Sequence, residues 1–314
     1  MRNRKPQITA GYIKNSISIL LPTYNNICVK TVYDLHLQAE HLRSLSHGGF
    51  CYEIIVADDG SSDKDAVEAN MRINTLPHCR YIIREQNSGR SCIRNFLAQQ
   101  AQNDYLLFLD SDLAIPDDSF LKSYVESDGT EVVYGGIAIV GSRKELGNNL
   151  RFLYEKKAEP NHTLEKRIKN KYKDFHTANF LIKRDIMLAN LFDERFKNYG
   201  YEDVLFGKKL KQNKIQISHI QNPVLFNNFE TNESFIRKTE EGLHTLFRFR
   251  EELKGYTSIL SLADKVNAIF ALAPIIKLWH RLFGKTERAW LTGSNPNLIV
   301  FNLYRLGYFL NIKQ

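Results

Sequence analysis

Short apolar runs punctuate the first 140 residues, at 17–21, 53–57, 81–83 and 105–109, each bounded by turn-forming or polar residues. Runs of this kind, with little alternation, read as strands buried on both faces of a parallel sheet. Segments of helical length lie between them, at 29–45 and 91–102. Strand–helix alternation predicts a doubly wound α/β sheet, in which ligands bind beyond the carboxyl ends of the strands. The polar clusters fall at those ends: 23–26 after the first run, 58–63 after the second and 110–112 after the fourth.

Beyond residue 131 the pattern changes. Residues 132–140 predict a strand interrupted by Gly135-Gly136, and the charged stretch 143–173 predicts a mixture of helix and loop. A short strand is expected at 179–183. A short helix is expected at 201–210, with Val204, Leu205 and Leu210 apolar, and a long charged helix at 230–253, with Phe235, Leu243, Leu246 and Phe249 on its apolar side. The tail carries many aliphatic residues over 259–283, with Trp279, His280 and Arg281 among them, then Phe301, Tyr304, Tyr308 and Phe309 beside Arg305. Three readings fit it: a helical cap packed on the domain, an interfacial helix on an anionic membrane, or an oligomer contact. There is no internal repeat and no low-complexity tract.

The 314 residues suit one large domain or a domain with an appendage. With 43% hydrophobic and 25% charged residues a sizeable core is expected and wholesale disorder is not. The net charge of +8 and pI near 9.1 favour anionic partners such as nucleotides or phospholipid surfaces. Nucleic acid is not expected, since no recognition motif accompanies the charge. Cys28, Cys51, Cys79 and Cys92 form no CxxC pair and no zinc spacing, which predicts reduced thiols packing as small hydrophobes. Residues 1–14 are basic without an apolar region, so no secretory leader is expected there. No stretch approaches the ~20 apolar residues of a spanning helix. The expected location is cytoplasmic, with peripheral contact to the inner face of the cell membrane.

The chemistry concentrates at the strand ends. Asp110-Ser111-Asp112 follows the run at 105–109, and two carboxylates two residues apart suit a hard divalent cation bridging a diphosphate; the bland alternative is a helix cap. Asp58-Asp59-Gly60-Ser61-Ser62-Asp63 offers carboxylates to a nucleobase or ribose, against an ordinary Asx turn. Pro22-Thr23-Tyr24-Asn25 adds an aromatic face and polar groups. In Asn87-Ser88-Gly89-Arg90, a glycine turn enters a helix on which Arg90 and Arg94 share one face. That suits a phosphate or a carboxylate partner, or structural pairing with the acidic loops.

In this order and spacing the four segments resemble the family 2 glycosyltransferases of GT-A fold. The resemblance covers about 1–115 well and 116–230 more loosely, and leaves out the tail after 255. It implies a GT-A, Rossmann-like fold for nucleotide-diphospho-sugar transfer: a mixed, mainly parallel α/β sheet flanked by helices, with a helical C-terminal extension. The implied domain is 1–255, its donor half about 15–130 and its acceptor half about 131–255, with 256–314 as the extension. On matching positions the resemblance puts Pro22, Thr23, Tyr24 and Asn25 in the donor pocket and Asp58 or, preferably, Asp59 on the base or ribose. It puts Arg90 or Arg94 on the donor side, Asp110 and Ser111 at the ribose or sugar, and Asp112, with Asp110, on Mg²⁺ or Mn²⁺. Tyr201-Glu202-Asp203 resembles the family's Glu-Asp motif at a helix start, implying Asp203 as catalytic base and Glu202 orienting the acceptor, with Asn179 as a further acceptor contact.

One departure stands out. Where family members often place a metal-binding His after an Asn-Pro-Val sequence, Asn222-Pro223-Val224-Leu225 leads to Phe226; His219 and His244 are the nearby substitutes. The expected reaction is an inverting, metal-dependent transfer from a nucleotide sugar, a UDP-sugar first, to a hydroxyl of a glycan or lipid-linked acceptor in cell-envelope polysaccharide synthesis. The competing classes are a nucleotidyltransferase on sugar phosphates and a non-catalytic GT-A-like binding protein. The first typically carries a basic glycine-rich loop after its first strand, and residues 22–25 hold none.

Overall fold

The structure, a computed structural model, describes residues 14–128, 131–269 and 271–313. The basic stretch 1–13, and with it the expectation about a leader, lies outside the described residues. The strands are β1 (Ser16–Thr23), β2 (Cys51–Asp58), β3 (Cys79–Ile83), β4 (Tyr105–Leu109), β5 (Val132–Tyr134), β6 (Ile137–Ile139), β7 (Asn179–Lys183), β8 (Ile217–His219) and β9 (Val224–Phe226). In the first half the helices are α1 (Val29–Leu45), α2 (Lys64–Met71), α3 (Arg90–Gln100) and α4 (Phe120–Val125). The middle of the chain adds α5 (Arg143–Leu146), α6 (Leu150–Ala158), α7 (Leu164–Lys169), α8 (Arg184–Ala189) and α9 (Glu202–Gln212). The last four are α10 (Asn232–Arg248), α11 (Ser258–Asn267), α12 (Leu272–Thr292) and α13 (Leu298–Asn311).

Seven strands form one sheet in the order β3-β2-β1-β4-β7-β5-β8, and β6 pairs with β9 in a second sheet. Only β7 runs antiparallel to its neighbours β4 and β5, so the sheet is mainly parallel, as expected. Register aligns Ile19 with Ile54 on one side and Leu107 on the other. Successive side chains point to opposite faces. Ile19, Leu21, Ile54, Val56, Leu107 and Leu109 therefore pack against Val32 and Leu35 of α1 and Phe120 of α4. Leu20, Ile55, Ala57, Leu106 and Phe108 pack against Ile93 and Leu97 of α3. Burial on both faces is the physical reason these runs carry no polar alternation.

The expected strand over 132–140 divides. β5 joins the large sheet and β6 the small one, because the chain turns at the two glycines. A Cβ at Gly135 would sit 2.4 Å from both the Asn222 carbonyl oxygen and the Tyr124 hydroxyl, and Gly136 has φ +98°. The backbones approach too closely for any side chain, so continuity of hydrophobicity did not mean continuity of pairing.

The C-terminal helices are packed on the domain. Leu243 and Leu246 of α10 share a cluster with Ile259, Leu260 and Leu306. Phe235 and Ile236 share another with Leu291, Phe301 and Tyr304. All four cysteines are free; Cys28 and Cys79 are buried, but Cys51 is exposed and does not pack as a core residue as expected.

Candidate active site

The carboxyl ends of β1, β2 and β4 open onto a cleft of about 590 Å³, a volume in the range of ligand sites. Pro22, Thr23, Tyr24, Asn25, Asp59, Arg90, Arg94, Asp110, Ser111 and Asp112 line it, so ten of the residues singled out in the sequence meet in one hollow. Asp58, Asn179, Glu202 and Asp203 are not among the lining residues.

The loop after β1 is tied to the loop after β2. Asn25 adopts φ +50°, and its side-chain oxygen accepts from the backbone N–H of Ser62 and Asp63, both at 2.9 Å. Its amide group therefore braces the rim, while Tyr24, about half exposed, presents its ring at the mouth. Asn26, the last residue of the polar cluster after β1, donates to the Ser111 carbonyl at 2.8 Å and fixes the β1 loop against the acidic triplet.

The two acids after β2 separate in role. Asp58 is buried and accepts from the Tyr81 hydroxyl and the Ser61 N–H, both at 2.6 Å. It holds the turn and is not among the residues lining the cleft. Asp59 borders the cleft but accepts from the N–H groups of Ser88 and Gly89, from the Ser88 hydroxyl and from Arg84. It orders the turn that starts α3. Gly89 at its centre has φ +89°, and a Cβ there would lie 2.6 Å from the Lys197 carbonyl oxygen.

From that turn α3 carries two guanidinium groups into the site. Arg90 lies over the Tyr199 ring at 4.7 Å with its head about half exposed. Arg94 is buried between Glu202, at 3.1 Å, and Asp110, at 2.9 Å. Arg90 is thus the one of the pair that faces an incoming anion. Arg94 is committed to protein carboxylates, a division that helical spacing did not reveal.

Asp110 leaves β4 with its N–H bonded to the Ala178 carbonyl, and two residues on Asp112 reaches solvent in the cleft. Recession into the cleft and then the neighbouring Asp110 charge push the Asp112 carboxyl above its ordinary pKa. Asp112 makes no ion pair among the described residues, and no cluster of three or more His, Cys, Asp or Glu side chains arranged for a metal occurs among them. Two hard carboxylates at one strand end, one without a direct ion pair, nevertheless fit a divalent cation that takes its remaining ligands from phosphate oxygens and water.

The position expected to hold histidine has a different composition. Phe226 lines the cleft, and the Arg151 guanidinium sits over its ring at 5.4 Å and over Phe235 at 5.0 Å. His219 cannot substitute. It packs edge-on against Tyr134, its Nε2 meets the Lys171 carbonyl at 3.0 Å, and burial holds its pKa down to about 4. His244 pairs with the Tyr308 hydroxyl of α13. Arg151, Lys197 and Lys238 add positive charge to the cleft, beside Glu230 and Glu241. They arrive from α6, α10 and the loop before α9, elements with no local motif to announce them.

Gly200 and Tyr201 both take positive φ, +97° and +69°, and turn the chain so that α9 starts with Glu202 and Asp203. Glu202 is buried and pairs with Arg94 at 3.1 Å and with Arg90 at 3.9 Å. Asn179 is fully buried; its amide donates to the Gly136 and Asn222 carbonyls and its oxygen accepts from Tyr124. Asp203 is not among the lining residues; it follows Glu202 at the start of α9, within the influence of the Arg94 charge, and is partly exposed with His176 Nδ1 at 3.2 Å. Burial raises its pKa, but the His176 hydrogen bond and charge outweigh it, and the net direction is down; His176 is shifted up in turn by the same contact against the opposing effect of burial.

Comparison with known proteins agrees with this architecture. The model of the family described as Glycosyl transferase family 2 matches residues 18–189. The chain is 27% identical over 245 residues to chondroitin synthase of Escherichia coli, a match covering 63% of this chain and 32% of that protein. It is 32% identical over 103 residues to a putative teichuronic acid biosynthesis glycosyltransferase of Bacillus subtilis, covering 32% of this chain and 36% of that one. The chain thus spans about a third of the length of these curated relatives. Among solved structures it shares the fold of a mannosyltransferase from Pyrobaculum calidifontis in complex with GDP-Man and Mn²⁺, with TM-score 0.56 and 14% identity over 98% of this chain and 88% of that one.

Proposed function

Because the chain belongs to glycosyl transferase family 2, we propose that it moves a hexosyl or N-acetylhexosaminyl unit from a nucleoside-diphosphate sugar to a hydroxyl of a glycan or lipid-linked acceptor, with inversion. A UDP-sugar is the first donor to test, although the structural neighbour's complex holds GDP-Man. The observation that carries the reading is that Asp110, Asp112, Asp59 and Arg90 line one cleft beyond the strand ends. That cleft joins a carboxylate pair suited to a cation with a guanidinium suited to a phosphate. In this reading residues 1–255 are the catalytic domain and 256–314 its extension.

Asp112, with Asp110, would hold Mg²⁺ or Mn²⁺, which when bound offsets charge on the departing diphosphate. Arg90 and Lys238 face the same anion from the protein side. Asp203 is the base: its lowered pKa keeps it ionised near neutrality, and His176 fixes its orientation. It takes the proton of the acceptor hydroxyl as that oxygen bonds to the anomeric carbon and the bond to the nucleoside diphosphate breaks.

The test is hydrolysis and transfer by the purified protein with Mn²⁺ across a panel of nucleotide sugars. Release of nucleoside diphosphate from one donor, stimulated by acceptor, supports the proposal. Pyrophosphate release from a nucleoside triphosphate and a sugar phosphate would instead establish a nucleotidyltransferase, and no turnover of any donor a binding protein.

A further inference from the structure

α12 is apolar on its outer face as well as its inner one. Its inward face carries Ala273, Ile276, His280, Gly284, Glu287 and Leu291, apolar except for His280 and Glu287. Glu287 is buried there, accepts from the Trp279 indole N–H at 2.8 Å and lies 3.5 Å from His280 Nδ1. Its outward face presents Ile275, Leu278, Trp279, Leu282, Phe283 and Trp290, each between 43% and 65% exposed. A helix on a water-facing surface is ordinarily apolar inward and polar outward.

Polar contacts lock this orientation. Arg288 of α12 donates to Glu240 at 2.8 Å and to Glu233 at 2.7 Å, both on α10, and Tyr304 of α13 donates to the same Glu240. Rotating α12 to bury its outer face would break these pairs. The exposed face therefore has a fixed outward aim, and it covers about 22 Å of helix from Ile275 to Trp290.

We propose that this face of α12 lies on an anionic phospholipid bilayer as an interfacial helix. Both tryptophans of the sequence are on it, and an amphipathic indole is the side chain best suited to the headgroup boundary. Exposed Arg281 and Lys285 run along one edge of the apolar stripe, where they meet lipid phosphates. The chain's net charge of +8 adds long-range attraction. No single helix among the described residues is long and apolar enough to cross a membrane; α11 and α12 meet that test by length and composition only when taken together as a bent pair. The proposal deepens the lipid-linked acceptor reading but is tested without it.

The experiment is co-sedimentation of the full chain with vesicles of phosphatidylglycerol and phosphatidylethanolamine, or of phosphatidylcholine alone, together with tryptophan emission. Binding to the anionic vesicles with a blue shift, and quenching by brominated lipid, is expected. The double variant Leu282→Glu/Phe283→Glu should bind at least about tenfold more weakly, and Arg281→Glu/Lys285→Glu should weaken only the anionic case. Unchanged emission and no sedimentation with anionic vesicles would overturn the proposal, as would a dimer abolished by the double variant, which would make a second copy the occupant. Quenching in the unaltered protein stands even if a variant misfolds. Donor hydrolysis measured on the same samples separates failure of docking from failure of the transferase reading.

Discussion

Arg94 of α3 and Glu202 of α9 meet at 3.1 Å, both side chains nearly inaccessible to water, and the other end of the same guanidinium holds Asp110 at 2.9 Å. One cation thus joins the start of α9 to the strand end carrying the acidic triplet. Removing a partner from a buried pair leaves an uncompensated charge. Glu202→Gln should therefore lower stability by about 2–3 kcal/mol, less than for an isolated pair because Asp110 remains. Urea unfolding checks this, and a midpoint equal to that of the unaltered protein would contradict the ion-pair role.

Asp203→Asn should reduce transfer by about 10²–10⁴-fold while leaving donor affinity nearly intact. Unchanged turnover would remove Asp203 from the role of base.

His176→Ala tests how that base is tuned. The His176 contact lowers the Asp203 pKa, so activity requiring the carboxylate is present above that pKa and lost as pH falls through it. Without the imidazole the pKa rises, and the acid limb of the pH–rate profile should move to higher pH. A limb that stays in place would mean that another group controls it.

Asp112→Ala should weaken donor binding in the presence of Mn²⁺ and leave metal-free binding little changed, as calorimetry of donor with and without the ion would measure. Chelation should likewise stop transfer. Equal Mn²⁺ titrations for variant and parent would argue against the carboxylate as a ligand.

Acid stability should depend on His219. Its folded pKa of about 4 lies below the usual value of 6.5, so the folded state excludes a proton that the unfolded chain accepts. Its contribution is complete above 6.5 and is lost as pH falls toward 4. His219→Gln should flatten the melting temperature over that window; an unaltered slope between pH 7 and 4 would oppose this.

The strand–helix order of the first half, the two-faced burial of β1, β2 and β4, and the residues at their carboxyl ends were legible in the sequence. Those features follow from local periodicity and from the rule that a parallel sheet opens its ligand site at one end. Only the tertiary structure decided which members of a motif face the cleft. Asp58 and Asp59 are adjacent, yet one points to Tyr81 and the other to the Ser88–Gly89 turn. Arg90 and Arg94 share a helical face and both reach Glu202, yet Arg94 is buried at 3.1 Å from it while Arg90, at 3.9 Å, stays half exposed. Arg151 and Lys238 reach the cleft from distant helices, and the outward aim of α12 rests on ion pairs to α10. The direction of a charged side chain depends on partners remote in the chain, and no local pattern encodes them.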